Sequence, residues 1–192
     1  VQAGKQIASP SGHADYHPAG MTEVSMSPDS AQRLIDGARS LLDGIDHPAL
    51  AAFLADWPEP DAPRRPIGHR PLPVLGWLDA LPAGAGPETR GLVEALVAAA
   101  EDLAWGQTYR DGDIGRRFLD RYGWSELIGL RGPVASDRIA CGFLLLGPDI
   151  EYPPHAHAAE EIYLPLAGTA DWLRGDEGWR QRGPGVPIHH PA

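Results

Sequence analysis

Basic charge is scarce in this chain. Lys5 is the single lysine, and 16 basic residues stand against 26 acidic ones, for a formal net charge of −10. Neutralising phosphates requires clustered Lys and Arg, so a nucleic-acid binder is excluded as the first reading. An acidic field mildly favours a cationic ligand, although such surfaces ordinarily serve solubility. Cysteine is nearly absent too. Cys141 is alone, which rules out an internal disulfide and fits a reducing cytoplasm. It sits in the apolar run IACGFLLLG, so a buried, inert thiol is expected rather than a nucleophile. No apolar run approaches the roughly 18 residues that span a bilayer, and no basic-then-apolar signal opens the sequence, so no membrane partner is expected. There is no phosphate-binding glycine loop, no GxSxG elbow and no CxxC pair.

Glycine and proline are abundant, at 23 and 20 residues. They announce many turns and at least one long irregular connection. The 43% hydrophobic and 22% charged contents are those of a globular chain. At 192 residues, one compact domain with a helical appendage is the default. It can bury roughly 70% of its unfolded surface without a disulfide or metal.

Residues 1–26 read as a flexible leader rich in Gly, Ala, Ser and His, in which Met21 or Met26 could be the native start. Residues 27–122 read as a helical region. Ser27 can cap a helix, Pro28 suits its first position, and Leu34, Ile35, Ala38, Leu41 and Leu42 share one face up to Gly44. A second short helix follows Pro48 through Leu50, Phe53, Leu54 and Trp57. The stretch 58–73 is too proline-rich for a regular element and reads as a stiff connection over a surface. A third helix is expected over about 87–104, and a shorter one over about 114–122. From 123 to 192 the pattern changes to WSELIGLRG, DRIACGFLLLG, EEIYLPLAG, TADWLRG and EGWRQRG, short strands separated by Gly, Pro and Asp turns. The fold class is therefore α+β, a helical N-terminal region packed on a C-terminal β-barrel. A hairpin is expected about Asp176-Glu177-Gly178, with Trp172 and Trp179 on its arms. The apolar helices could close the barrel mouth or form a homodimer surface.

The densest chemistry lies in PPHAHAAEEIYLPLAG, residues 153–168. His155, His157 and Glu161 form a donor set of intermediate softness, suited to Zn, Fe, Mn, Co or Ni rather than Ca. These three and Tyr163 are all odd-numbered. If the segment is strand, turn, strand with parity kept, all four face one cavity and Glu160 faces away. The competing reading is a polar turn with solvated histidines. His13, His17, His47 and His69 have no ligand spacing and read as solvated.

The spacing His155-x-His157, three residues, Glu161, six residues, Gly168 resembles the first motif of the cupin superfamily, with Gly147 two residues further upstream than usual. That resemblance implies a double-stranded β-helix barrel around a metal. A narrower likeness runs from Arg121-Tyr122-Gly123-Trp124 through Ala140-Cys141-Gly142 and Leu144-Leu145-Leu146-Gly147-Pro148 to AEEIYLPLAG. Over residues 75–192 the chain resembles the bacterial dimethylsulfoniopropionate (DMSP) lyases, in the long-chain branch with a helical N-terminal region. This implies a divalent metal on His155, His157, Glu161 and one later histidine. It also implies Tyr163 as base and Tyr152 lining the pocket of a small zwitterionic sulfonium substrate. β-Elimination to dimethyl sulfide and acrylate would follow. Tyr152, Trp172 and Trp179 are candidates to face the sulfonium through their rings, against ordinary packing roles.

One departure stands out. Gly183-Pro184-Gly185-Val186-Pro187-Ile188-His189-His190 looks like the start of the second cupin motif, and Ala192 comes before the histidine expected there. An incomplete barrel cut at its C-terminus is the favoured expectation, with substitution by His189 or His190 as the alternative. Two other functions stay open. One is a cupin dioxygenase or isomerase using the same ligands, which would not need a phenolic base at Tyr163. The other is a non-catalytic cupin sensor for a small ligand.

Overall fold

The structure is a computed structural model that describes residues 2–4, 28–155 and 158–192. Helix α1 spans Pro28–Asp43, and Ser27, its expected cap, lies outside the described residues. Of its expected apolar face, Leu34, Ile35, Ala38 and Leu42 are buried, and Leu41 is half-buried against the same core. Helix α2 is Leu50–Ala55, inside the expected second helix. Residues 58–72 of the connection carry no helix or named strand, and Pro73 already opens the next helical element. It is tied down by its own backbone, since Arg65 N donates to Pro133 O at 2.9 Å and Trp105 N donates to Arg70 O at 3.0 Å. Arg65 also donates its guanidinium to Gly132 O at 2.6 Å.

Three helical details differ from expectation. A 3-10 helix at Pro73–Ala80 runs into the one-turn helix α3, Leu81–Gly84. The third helix is shorter than read, as α4 covers Arg90–Ala99 and tightens into a 3-10 turn at Ala100–Asp102. The helix expected near 114–122 is two single turns, α5 at Asp111–Ile114 and α6 at Arg116–Leu119. Gly115 between them has φ 83°, which no right-handed helix accommodates.

The strands are β1 Gln2–Gly4, β2 Tyr122–Gly129, β3 Val134–Ala135, β4 Ala140–Leu146, β5 Glu161–Tyr163, β6 Ala170–Trp172, β7 Arg180–Arg182 and β8 Ile188–His190. Six form one sheet in the order β3-β2-β4-β1-β5-β8, and β6 and β7 form a hairpin. The hairpin stands where Asp176-Glu177-Gly178 predicts it, with Trp172 opposite Arg180. Trp179 lies outside its ladder. Strand β1 comes from the stretch read as leader and pairs antiparallel with both β4 and β5.

One cluster of buried residues runs through both halves, from Leu34, Leu42 and Leu96 to Ile128, Phe143, Ile162 and Leu164. Each fully buried large side chain of this kind contributes on the order of 1.5–3 kcal/mol relative to exposure. Thr89, completely buried, ties the start of α4 to the strand region by donating to Leu166 O at 2.6 Å. Cys141 is in the same core, and burial pushes its thiol up to about 12. Native protein is therefore expected to resist iodoacetamide at neutral pH and to react only once unfolded, as mass spectrometry would read.

Close backbone approach fixes the β2–β4 pair. A Cβ at Gly142 would sit 2.2 Å from Ser125 O, on the neighbouring strand. Gly142→Ala is expected to destabilise the fold by about 1–3 kcal/mol or more, because the obstacle is backbone and cannot rotate away. A denaturant midpoint shifted well below that of the parent chain checks this.

Candidate active site

Strand β5 places two of the predicted residues on one face. Glu161 and Tyr163 are both buried, at 8% exposure each. Tyr163 Oη donates to Glu161 Oε2 at 3.0 Å. Strand alternation is the cause, since side chains two apart share a face. Glu160 follows the opposite parity, with Oε1 2.9 Å from His189 Nε2.

The neighbouring strand completes the face. In the β5–β8 register, Glu161 lies opposite His190 and Ile162 opposite His189. The His190 ring centroid is 5.6 Å from that of Tyr163. Trp172, from the hairpin, packs 5.0 Å from Tyr163 and donates Nε1–H to His190 Nε2 at 3.1 Å. Sequence reasoning named His190 only as a substitute ligand. Its place beside Glu161 depends on a strand register that no local motif encodes.

The histidine pair is a different matter. His157 lies outside the described residues. His155 is exposed and sits in irregular backbone, not in a strand, so the parity reading does not reach it. Pro153 and Pro154 are the physical reason, since neither can donate to a ladder. His155 Nδ1 lies 3.0 Å from Pro153 O, and its ring is 4.7 Å from that of Tyr152. Among the described residues, no three His, Cys, Asp or Glu side chains gather closely enough to hold a metal ion. The donor chemistry nevertheless suits a divalent cation: a buried carboxylate at Glu161 with imidazoles at His155 and His190, whose charge environment includes both of the others.

Tyr152 belongs to an aromatic group that the sequence did not reveal. Its ring stacks 5.5 Å from Tyr122 and 5.9 Å from Phe118, and lies 6.2 Å from Tyr109. These rings come from the α6–β2 junction and the loop before α5, so only the fold brings them together. Burial, and then the neighbouring Tyr122 hydroxyl, raise the Tyr152 phenol well above its ordinary value. Tyr163 is raised as well, by burial first, then by the Glu161 charge and the hydrogen bond to it. His190 is lowered, chiefly by burial. Trp179 is 61% exposed, so it is neither core nor a wall of this site.

The comparisons with known proteins agree on one family. The family model described as DMSP lyase (dimethylsulfoniopropionate lyase) matches residues 50–192. The DMSP lyase DddQ of Ruegeria pomeroyi is 34% identical over 145 residues, which cover 76% of this chain and 71% of that protein. A putative DMSP lyase, DddL of Cereibacter sphaeroides, is 33% identical over 98 residues, half of this chain and 40% of that protein's length. Among solved structures, the crystal structure of DddQ from Ruegeria pomeroyi superposes with a TM-score of 0.75 at 31% identity, covering 86% of this chain and 82% of that one. A structure from work on the DMSP lyases RdDddP and RnDddQII superposes with a TM-score of 0.77 at 32% identity, covering 85% and 82%. Fold and sequence together define the class, a cupin-type carbon–sulfur lyase. The chain belongs to the DMSP lyase family. The likeness reaches further toward the N-terminus than residue 75, where the sequence resemblance was placed.

Proposed function

We propose that this protein cleaves DMSP to dimethyl sulfide and acrylate by β-elimination at the Glu161–Tyr163 face. The observation that carries the reading is the buried phenol–carboxylate pair, 3.0 Å apart on one face of β5. In the reaction the α C–H bond breaks, its electron pair forms the Cα=Cβ bond, and the Cβ–S bond breaks with its pair leaving on sulfur. One proton is released with acrylate and neutral dimethyl sulfide.

Tyr163 is the base in this reading. A phenol with an ordinary pKa of about 10 is a poor base at neutral pH, and burial beside a carboxylate raises it further. The pair alone therefore keeps its proton on Tyr163, donated to Glu161. A divalent cation (Zn, Fe, Mn, Co or Ni) on His155, His157 and Glu161, with His190 in reach of the same face, would offset the Glu161 charge and acidify the α C–H through the substrate carboxylate. Tyr152 and Trp172 offer ring faces to the sulfonium. Trp172 is held in place for this by its bond to His190.

The test is a headspace dimethyl sulfide assay on purified protein supplied in turn with each of these metals. Gas and acrylate in equal amounts are expected. No release with any divalent metal removes the reading. Tyr152→Phe is expected to keep KM and kcat within a few-fold of the parent, because the ring face offered to the sulfonium stays in the aromatic group, whereas Tyr152→Ala is expected to raise KM more than it lowers kcat. Steady-state kinetics separates the two.

A further inference from the structure

The least expected feature of so acidic a chain is a concentration of arginine on the β6–β7 hairpin. Antiparallel pairing sets Arg180 opposite Trp172 and Arg182 opposite Ala170. Alternation then puts Trp172, Arg180 and Arg182 on one face, with Asp171 and Gln181 on the other. That face looks into a cavity of about 220 Å³, shared with Arg174, Glu177, His47 and His189. The volume is several times the roughly 30 Å³ a water occupies in the liquid.

The charges do not cancel. Arg174 is spent on Glu177, with Nε donating at 2.8 Å, and on His189 O, with Nη1 donating at 2.7 Å. Arg180 reaches the other Glu177 oxygen only at 3.8 Å. Arg182 has its Nε buried with no hydrogen-bond partner among the described residues. Glu177, the one carboxylate lining the cavity among the described residues, thus faces three guanidiniums. Glu160 is already bonded to His189. The arginine hydrogen bond and the arginine charges hold the Glu177 carboxyl below the ordinary range, as a positive local field requires. Arginine keeps its charge at every working pH, and its fork matches planar oxyanions two bonds at a time.

The geometry points to a small-oxyanion site in this cavity, with Arg180 and Arg182 as its principal donors. It is separate from the Glu161–Tyr163 face, because His189 and His190 point to opposite sides of β8. The two are joined by Trp172, which lines the cavity and also donates to His190. The site does not depend on the lyase reading.

Isothermal titration of the whole protein with inorganic phosphate, and separately with propionate, tests this. Saturable 1:1 binding is expected with at least one of them, weakening as salt rises. Whichever binds more tightly identifies the phosphate or carboxylate source. Arg182→Gln and Arg180→Gln are each expected to weaken it about 10-fold, and Arg182→Lys less, since charge survives but the fork is lost. Glu161→Gln, which alters the other face, is expected to leave the affinity within about 2-fold, as befits an independent site. Circular dichroism checks that each variant is folded. The proposal is overturned if neither anion binds saturably, if folded Arg180 and Arg182 variants bind as the parent does, or if Glu161→Gln abolishes binding.

Discussion

Replacing Tyr163 with phenylalanine is expected to lower kcat for dimethyl sulfide release by about 10²–10⁴-fold, the usual worth of a positioned general base. The substitution is conservative in every other respect. The ring keeps its 5.0 Å contact with Trp172 and its place opposite Ile188. Only the hydroxyl that donates to Glu161 is removed. A merely structural tyrosine would show its loss as lowered thermal stability with kcat intact. A base shows the reverse, a folded protein that still takes up metal and substrate while turnover collapses. The pH profile supplies a second reading. If phenolate is the active form, the parent's kcat rises with pH through the Tyr163 pKa of the working enzyme, and that limb is absent in Tyr163→Phe. Full rate in the variant would eliminate Tyr163 as the base even if the reaction is right.

The parts of this molecule that were legible in its sequence are those with local physical causes. The apolar stripe of α1 follows from spacing of Leu34, Ile35, Ala38 and Leu42 that a 3.6-residue period turns to one side. The β6–β7 hairpin follows from its turn residues. The shared face of Glu161 and Tyr163 follows from a period of two within a single strand. Parity failed at His155 because the prolines before it deny the backbone a ladder, so the same counting rule had no strand to act on. What stayed hidden needed tertiary register. His190 meets Glu161 only because β8 pairs with β5 in one particular alignment, and slipping that alignment by one residue would bring His189 there. The Tyr109, Phe118, Tyr122 and Tyr152 group joins residues from separate segments. No window of sequence contains it.

Glu161→Gln tests the other half of the proposed chemistry, and two separate quantities are expected to move. Losing a coordinating carboxylate should reduce metal affinity by at least the 10–100-fold that even outer-shell partners command. Metal content after dialysis against a competing chelator reads this directly, and turnover should fall with it. The second quantity is the proton on Tyr163 in metal-free protein. There the Glu161 charge is one of the causes, after burial, that hold the phenol above its ordinary value. An amide of the same shape still accepts the hydroxyl through its carbonyl oxygen but carries no charge. The phenolate is then less disfavoured, so the pKa of Tyr163 falls relative to the parent, while burial keeps it above that of a free phenol. Near-ultraviolet titration isolates this group as the difference between Glu161→Gln and the double variant with Tyr163→Phe, each compared with its Glu161 counterpart. Unchanged metal retention would remove Glu161 from the ligand set. An unmoved Tyr163 titration would show that the two side chains, although 3.0 Å apart, are not coupled through charge, and the phenol would then need another source of activation to serve as a base.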